Sequence, residues 1–282
     1  TLGSDLDLDL GLDSLSRVEL SAMVEEELGI DLDERGLSEV KTVGDLIEAI
    51  ERKEPRSKAL AFPTWSLRPT PQLLRSVIQR LVVFPSHSLV CRSFKIEGRE
   101  NLENLKTPAL FVANHNSHVD TLSILHAMPR CIRQKLAVAA AADYFFRNQT
   151  LCLATTLTLN TFPLSRDGAV RASLEYCGQL VDAGWSILIY PEGTRSTTGQ
   201  LQPFKGGIGL LATQLRVPVV PIGVEGGFHI LPKGRCLPRP GPVTVRIGLP
   251  IDVPRGSSHF SITTMLEDAV RRLLHQKQLE AA

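Results

Sequence analysis

Apolar residues are distributed along this chain in two patterns. Short, mainly apolar runs at residues 109–113, 187–190, 217–224 and 243–248 have the length of buried strands. Residues 157–164 read as a further strand, and the uncharged stretch around them, residues 148–165, as loop and strand. Elsewhere apolar residues recur every three or four positions. Val170, Leu174, Cys177 and Val181 predict a helix closed by Gly184, residues 208–215 predict another, and residues 262–278 a terminal one. Helices alternating with strands over residues 100–282 predict an α/β fold with a mixed sheet flanked by helices.

The N-terminal third has helical periodicity without strands. Leu20, Val24 and Leu28 form a stripe, supported by Leu15, Val18 and Met23, in a helix that starts at Asp13 or Ser14 and ends at Gly29. Thr42 with Asp45 three residues on starts a second helix over residues 43–50. Pro55, Pro63 and Pro69 then mark a linker. Over residues 72–84, Leu73, Leu74, Val77, Ile78, Leu81, Val82 and Phe84 share one face, and Gln72, Arg75, Ser76, Gln79 and Arg80 share the other. Such a basic amphipathic helix suits either a membrane interface or the surface of a core. The expected domains are residues 1–54, an incomplete all-α unit; 55–71, the linker; and 72–282, the α/β body.

Charge sharpens this division. Residues 1–54 carry 16 Asp and Glu against 5 Lys and Arg, a balance of −11; the remaining 14 acidic and 26 basic residues give the body +12. A basic body favours phosphate, an anionic membrane surface or the acidic unit itself. No nucleic-acid partner is expected. The five cysteines lie far apart, which argues against a zinc site or a disulfide framework and favours reduced thiols. No run of about 18 apolar residues occurs, so no spanning helix is expected.

The chemistry concentrates at strand ends. After the run at 109–113 comes Asn114-His115-Asn116-Ser117-His118-Val119-Asp120. Histidine takes a proton readily near neutral pH, and a carboxylate on its far ring nitrogen fixes the tautomer and stabilises the imidazolium. If a helix starts near Val119, Asp120 lies in its first turn and folds back onto His115. Tyr190-Pro191-Glu192-Gly193-Thr194-Arg195-Ser196 follows another strand; parallel neighbouring strands would bring both loops to one sheet edge. There Gly193 permits close backbone approach, Arg195 offers a fork for phosphate, and Glu192 suits a hydroxyl or Arg195 itself. Arg166 ends the segment Phe162-Pro163-Leu164-Ser165-Arg166, and Lys205 adds positive charge nearby. Pro218 and Pro221 within 217–224 argue for an edge strand or one leading into a pocket wall.

Two sets of residues resemble known families. Gly11-Leu12-Asp13-Ser14-Leu15, with the later Thr42-Val43-Gly44-Asp45-Leu46, resembles the phosphopantetheine site and last helix of an acyl carrier protein, here lacking its first helix. That resemblance implies a 4'-phosphopantetheine arm on Ser14, a phosphopantetheinyl transferase that attaches it, and an acyl-activating enzyme or upstream domain that loads it. His115-x4-Asp120, Arg166, Glu192-Gly193-Thr194-Arg195 and the 217–223 segment together resemble the four ordered blocks of the glycerolphosphate and lysophospholipid acyltransferases. This resemblance implies His115 as general base with Asp120 its partner. It also implies Arg166, Glu192, Gly193, Thr194 and Arg195 around the acceptor's phosphate and glycerol, and Pro221 in the acyl pocket. No metal is implied.

The expected reaction is acyl transfer from an acyl-carrier or coenzyme A thioester to a hydroxyl, by a protein at the cytoplasmic membrane surface. Backbone amides after His115 are candidate oxyanion donors. Two rivals are thioester hydrolysis, which the arginines disfavour, and a membrane-associated carrier module that presents acyl chains without catalysis, which His115 and Asp120 disfavour.

Overall fold

A computed structural model describes residues 3–6, 20, 24, 40–52, 62–141, 149–164, 170–235, 237–254 and 256–279. Among these residues one sheet contains β1 (Cys91–Glu97), β2 (Leu110–Ala113), β3 (Leu136–Ala141), β4 (Thr161–Leu164), β5 (Ser186–Ile189), β6 (Val219–Glu225) and β7 (Gly241–Ile247). Their order is β1-β7-β6-β2-β5-β3-β4. Neighbours are parallel except for β6 and β7, which run antiparallel, so the mixed sheet expected from the sequence is present.

The helices are α1 (Val43–Arg52), α2 (Pro69–Ile78), α3 (Phe84–Val90), α4 (His118–Ala127), α5 (Arg130–Gln134), α6 (Gln149–Leu159), α7 (Val170–Asp182), α8 (Gly207–Leu215), α9 (Gly227–Ile230) and α10 (His259–Leu279). Side chains alternate across a strand, so the four residues of β2 serve two cores. Phe111 and Ala113 pack in the layer that holds Ile124 and Leu125 of α4. Leu110 and Val112 pack with Leu211 of α8 and with Leu266 and Val270 of α10. At the β1 side of the sheet, buried Arg246 of β7 holds Glu97 of β1 at 2.7 Å and Glu225 of β6 at 2.8 Å, tying three adjacent strands.

The chain divides into two units, Thr1–Ala61 with Ser165–Ser173 and Phe62–Leu164 with Leu174–Ala282. In the first, Leu46 of α1 packs with Leu6, Val24 and Val40. The expected cap of α1 is present: Asp45 N–H donates to Thr42 Oγ1 at 3.1 Å and Thr42 N–H to Asp45 Oδ2 at 2.9 Å. These bonds hold the Asp45 carboxyl below the usual range. Ser14 and most of the helix expected at residues 13–28 lie outside the described residues. From Phe62 the segment read as linker is built into the second unit: the Phe62 ring stacks on Tyr176 and Ser66 is buried.

Two expectations are corrected. Residues 157–159 do not begin a strand; they end α6, and the strand starts only at Thr161. Alternating Thr and Leu suit a strand locally, but here the last carbonyls of a helix find side-chain partners. Arg75 Nε donates to the Leu157 carbonyl at 3.1 Å, Arg75 Nη2 to Thr156 at 3.3 Å, and Gln79 Nε2 to Thr158 at 2.8 Å. Asn160, at φ 58°, then closes the helix in the left-handed conformation. The second correction is β6, which is an interior strand and not an edge. Pro221 is tolerated because its carbonyl faces Gly248 N–H at 2.9 Å, just past the last β6–β7 pair, Ile222 with Ile247. Its missing N–H therefore falls where that ladder has ended. The alternative reading, a strand leading to a pocket wall, fits Val224 and Glu225 at its end.

The same side-chain bonds settle which way the amphipathic segment faces. Arg75 and Gln79, on the face read as polar, point inward and are buried, whereas Leu73 and Leu81 are 65% and 68% exposed. Leu74, Val77 and Val82 are exposed with them, as are Leu151 and Leu153 of α6. A turn of π-helix at Gln79–Val83 carries α2 into α3. Burial lowers the Arg75 guanidinium to about 10, which leaves it charged at neutral pH. Arg75→Leu removes the guanidinium bonds to the carbonyls of Ser66, Thr156 and Leu157 and should lower the unfolding free energy by about 2–3 kcal/mol in urea titration.

Candidate active site

Both candidate loops leave the carboxyl ends of β2 and β5, which are parallel neighbours with Val112 paired to Ile189. The loop after β2 is fixed first by Asn114. Its side chain acts as an extra rung of the sheet, donating from Nδ2 to the Val224 carbonyl at 2.9 Å and accepting Val224 N–H at Oδ1 at 2.7 Å. Helix α4 then starts as expected, with Asp120 in its first turn. Asp120 Oδ2 accepts the N–H groups of Asn116 and Ser117, each at 2.6 Å, while Ser117 Oγ accepts Val119 N–H at 3.2 Å. This is a capping box with aspartate in the glutamate position. His115 Nδ1 lies 3.3 Å from the same Oδ2.

The stretch is therefore a helix cap and a histidine–carboxylate pair at once. Asp120 is fully buried and bonded through Oδ2, while its Oδ1 is buried without a partner. A Cβ at Gly227 would sit 2.1 Å from that oxygen, so the double glycine after β6 is required for the backbone of α9 to pass. With Nδ1–H donating to Asp120, His115 Nε2 carries the lone pair. The imidazole side chain is 16% exposed and stacks on the Tyr190 ring at 4.1 Å between centroids. Tyr190, where the acyltransferase pattern has phenylalanine, bonds Thr121 Oγ1 through its hydroxyl at 2.8 Å. The amides of Asn116, Ser117 and Val119 are all engaged within the cap, so none of these three is the free oxyanion donor expected after His115.

The second loop holds the first. Glu192 Oε1 accepts His115 N–H at 2.5 Å, its Oε2 accepts Gln202 N–H at 3.0 Å, and Ser196 N–H donates to the His115 carbonyl at 2.8 Å. Glu192 thus clamps backbone; neither carboxylate oxygen reaches toward Arg195. Gly193, at φ 71°, turns the loop under the Lys205 side chain, which any Cβ there would meet at 2.9 Å. Thr194 Oγ1 accepts a bond from Lys233 Nζ at 3.1 Å. Half-buried Arg195 has no carboxylate partner among the described residues. His118 is lowered to about 4 by burial, with Arg195 and His115 adding to the effect, so it is neutral at pH 7.

The structure therefore brings together His115, Asp120, Glu192, Gly193, Thr194 and Arg195. Pro221 is not among them. It pairs with Val112 on β6, before the level of Asn114, and its ring lies against Gly248. Arg166 and Ser14 lie outside the described residues. Asn114, Ser117, Ser196 and Lys233 were missed as site residues. Asn114 directly follows the apolar run of β2, and Gly226-Gly227 signals a close approach, so both had a local signal. Lys233 had none, because only the fold carries residues 231–235 back to the site, where Ser117 Oγ donates to the Leu231 carbonyl at 2.8 Å.

Comparison with known proteins finds two matched stretches of the chain. Residues 93–225 match the family model described as Acyltransferase, and residues 1–50 match that described as Phosphopantetheine attachment site. The two matched stretches do not overlap: one lies in the acidic N-terminal part and the other in the basic body. The 1-acyl-sn-glycerol-3-phosphate acyltransferase BAT2, chloroplastic, of Brassica napus is 33% identical over 147 residues, 49% of this chain and 39% of its own length. That of Cocos nucifera is 33% identical over 152 residues, 54% of this chain and 48% of its own. The chain thus spans half or less of these curated relatives. The crystal structure of the 1-acyl-sn-glycerophosphate (LPA) acyltransferase PlsC from Thermotoga maritima shares the fold. It matches with a TM-score of 0.60 at 23% identity, over 93% of this chain and 97% of that one.

Burial pushes the Glu192 carboxyl up to about 7, against the opposing pull of its two amide bonds. A carboxyl raised in the folded state contributes most to stability when protonated. The contribution is complete below its ordinary value of 4.5 and is lost as pH rises through about 7. The unfolding free energy of the wild type minus that of Glu192→Gln, measured by denaturant titration, should therefore fall across this window; a flat difference would refute a buried, raised Glu192.

Proposed function

We propose that the chain is an O-acyltransferase that moves a fatty acyl group from a thioester to a hydroxyl of a glycerol-3-phosphate-type or lysophospholipid acceptor. The observation that carries this reading is His115, its Nδ1 held by buried Asp120 and its backbone by Glu192 and Ser196, with Arg195, which has no carboxylate partner among the described residues, on the clamping loop. The names of the relatives, 1-acyl-sn-glycerol-3-phosphate acyltransferases, support the same class of acceptor.

His115 Nε2 removes the acceptor's hydroxyl proton as the oxygen attacks the thioester carbonyl. The carbon–sulfur bond then breaks, and the departing thiolate takes the proton from the imidazolium, leaving ester and thiol. Asp120 stabilises the imidazolium between these steps. Arg195 holds the acceptor's phosphate, joined by Lys205 and Lys233 and, by the family resemblance, Arg166. The donor is a coenzyme A thioester or one on the arm of Ser14; the latter needs a phosphopantetheinyl transferase and an acyl-activating enzyme or domain.

His115→Ala should lower transfer by about 10²–10⁴-fold while Ser14 is still phosphopantetheinylated. The assay offers a labelled acyl thioester with glycerol-3-phosphate, lysophosphatidate and lysophospholipids in turn. Transfer at the normal rate by the variant would remove His115 as the base.

The exposed leucines support a second part of the reading, peripheral attachment to a membrane where such acceptors reside. Leu73, Leu81 and Val82 form an outward apolar face with exposed Arg68 and Arg80 beside it. No described helix is long and apolar enough to cross a membrane. Because these leucines carry no core packing, Leu73→Asp with Leu81→Asp should lose binding to anionic phospholipid vesicles in flotation without lowering the thermal midpoint. Unchanged flotation would dismiss this face as the anchor.

A further inference from the structure

A cavity of about 380 Å³ lies beside the loop that carries His115, on the α10 side of the sheet, and the chemistry above does not use it. Its deep wall is Asn116 and Val224, both buried; its mouth is Gln200, Arg271 and His275, all exposed. Resting on the acyl-transfer reading, we propose that this cavity binds the pantetheine arm of the thioester donor, with the thioester end toward His115.

Three features select that ligand. First, Asn116 Oδ1 is buried with no hydrogen-bond partner, although Asn116 lines the cavity. A buried acceptor without a donor is costly, so the site calls for a ligand bearing N–H or O–H groups. The pantetheine arm offers two amide N–H groups and a hydroxyl. Second, the charges of the wall are already engaged. Glu225 is paired with Arg246 at 2.8 Å, and Arg271 pairs with Glu267 and stands 3.9 Å from Asp268. A near-neutral wall fits an uncharged amide chain better than a phosphorylated glycerol, for which Arg195 stands elsewhere. Third, Phe228 and Leu274 join Val224 in supplying apolar surface for methyl and methylene groups. The volume lies within the range of about 300–1,000 Å³ usual for small-molecule sites. Asn116 is the residue after His115, so the deep wall of the cavity belongs to the loop that carries the base.

The test fills the mouth from an exposed position. Gln200→Trp should raise KM for acyl-coenzyme A by about tenfold or more and leave KM for the acceptor unchanged. Asn116→Leu should act in the same direction without lowering the thermal midpoint, because it removes an unpaired buried acceptor. Calorimetric titration with coenzyme A itself gives a readout independent of turnover. Weaker binding by both variants supports the assignment; a rise in acceptor KM instead, or no change in donor KM or coenzyme A affinity, overturns it. If the wild type binds coenzyme A, and the variants less, yet no acceptor is acylated, the acyl-transfer reading fails while the cavity assignment stands. Titrating Ser14→Ala and fully phosphopantetheinylated chains separates the sources of the arm. Equal affinity identifies the free thioester as occupant, and reduced affinity in the modified chain identifies the arm on Ser14.

Discussion

The site depends on one buried carboxylate. Asp120 Oδ2 receives two backbone N–H groups of the α4 cap and faces His115 Nδ1, so the bonds that start the helix also orient the His115 imidazole. A carboxylate at a helix N-terminus is favoured by the helix dipole and by amide donors, which offset the cost of burying it. The arrangement is economical in sequence, taking seven residues, but not self-sufficient. Gly227 covers the unpartnered oxygen, Tyr190 supports the imidazole face, and Glu192 fixes the His115 amide. Tyr190 and Glu192 follow β5 and Gly227 follows β6, and the parallel pairing of β2 with β5 and with β6 brings them to one edge.

Glu192 illustrates how environment reassigns a residue. The family resemblance puts it at the acceptor. In the fold both oxygens are occupied by backbone amides, and burial raises its carboxyl toward neutrality. It holds the His115 loop against the Arg195 loop. The cations Lys205 and Lys233, with Arg195, stand around a turn made possible by Gly193.

The entry helix shows the same reassignment on a larger scale. Its polar face is the inner one, because Arg75 and Gln79 supply the donors that the end of α6 lacks. Its apolar face is left outside as a consequence. One set of hydrogen bonds thus explains the helical end of α6, the misreading of residues 157–159 as strand, and the exposed leucines.

Much of this protein is readable from the order of its residues alone. Periodicity located most strands and helices, the Thr42–Asp45 cap was visible as a motif, and the spacing of His115 and Asp120 placed both in one cap, since these are local rules of backbone geometry. Partnerships across the chain were not readable. Nothing near residue 75 indicates that its guanidinium caps a helix eighty residues later, nothing near Lys233 ties it to Thr194, and Pro218 and Pro221 suggested an edge until the end of the β7 ladder explained Pro221, the one inside β6. Local bonding determines which elements form; which face of each is buried, and which side chains meet at the sheet edge, is decided by long-range pairing, where unsatisfied backbone groups and buried charges must find partners wherever the fold provides them.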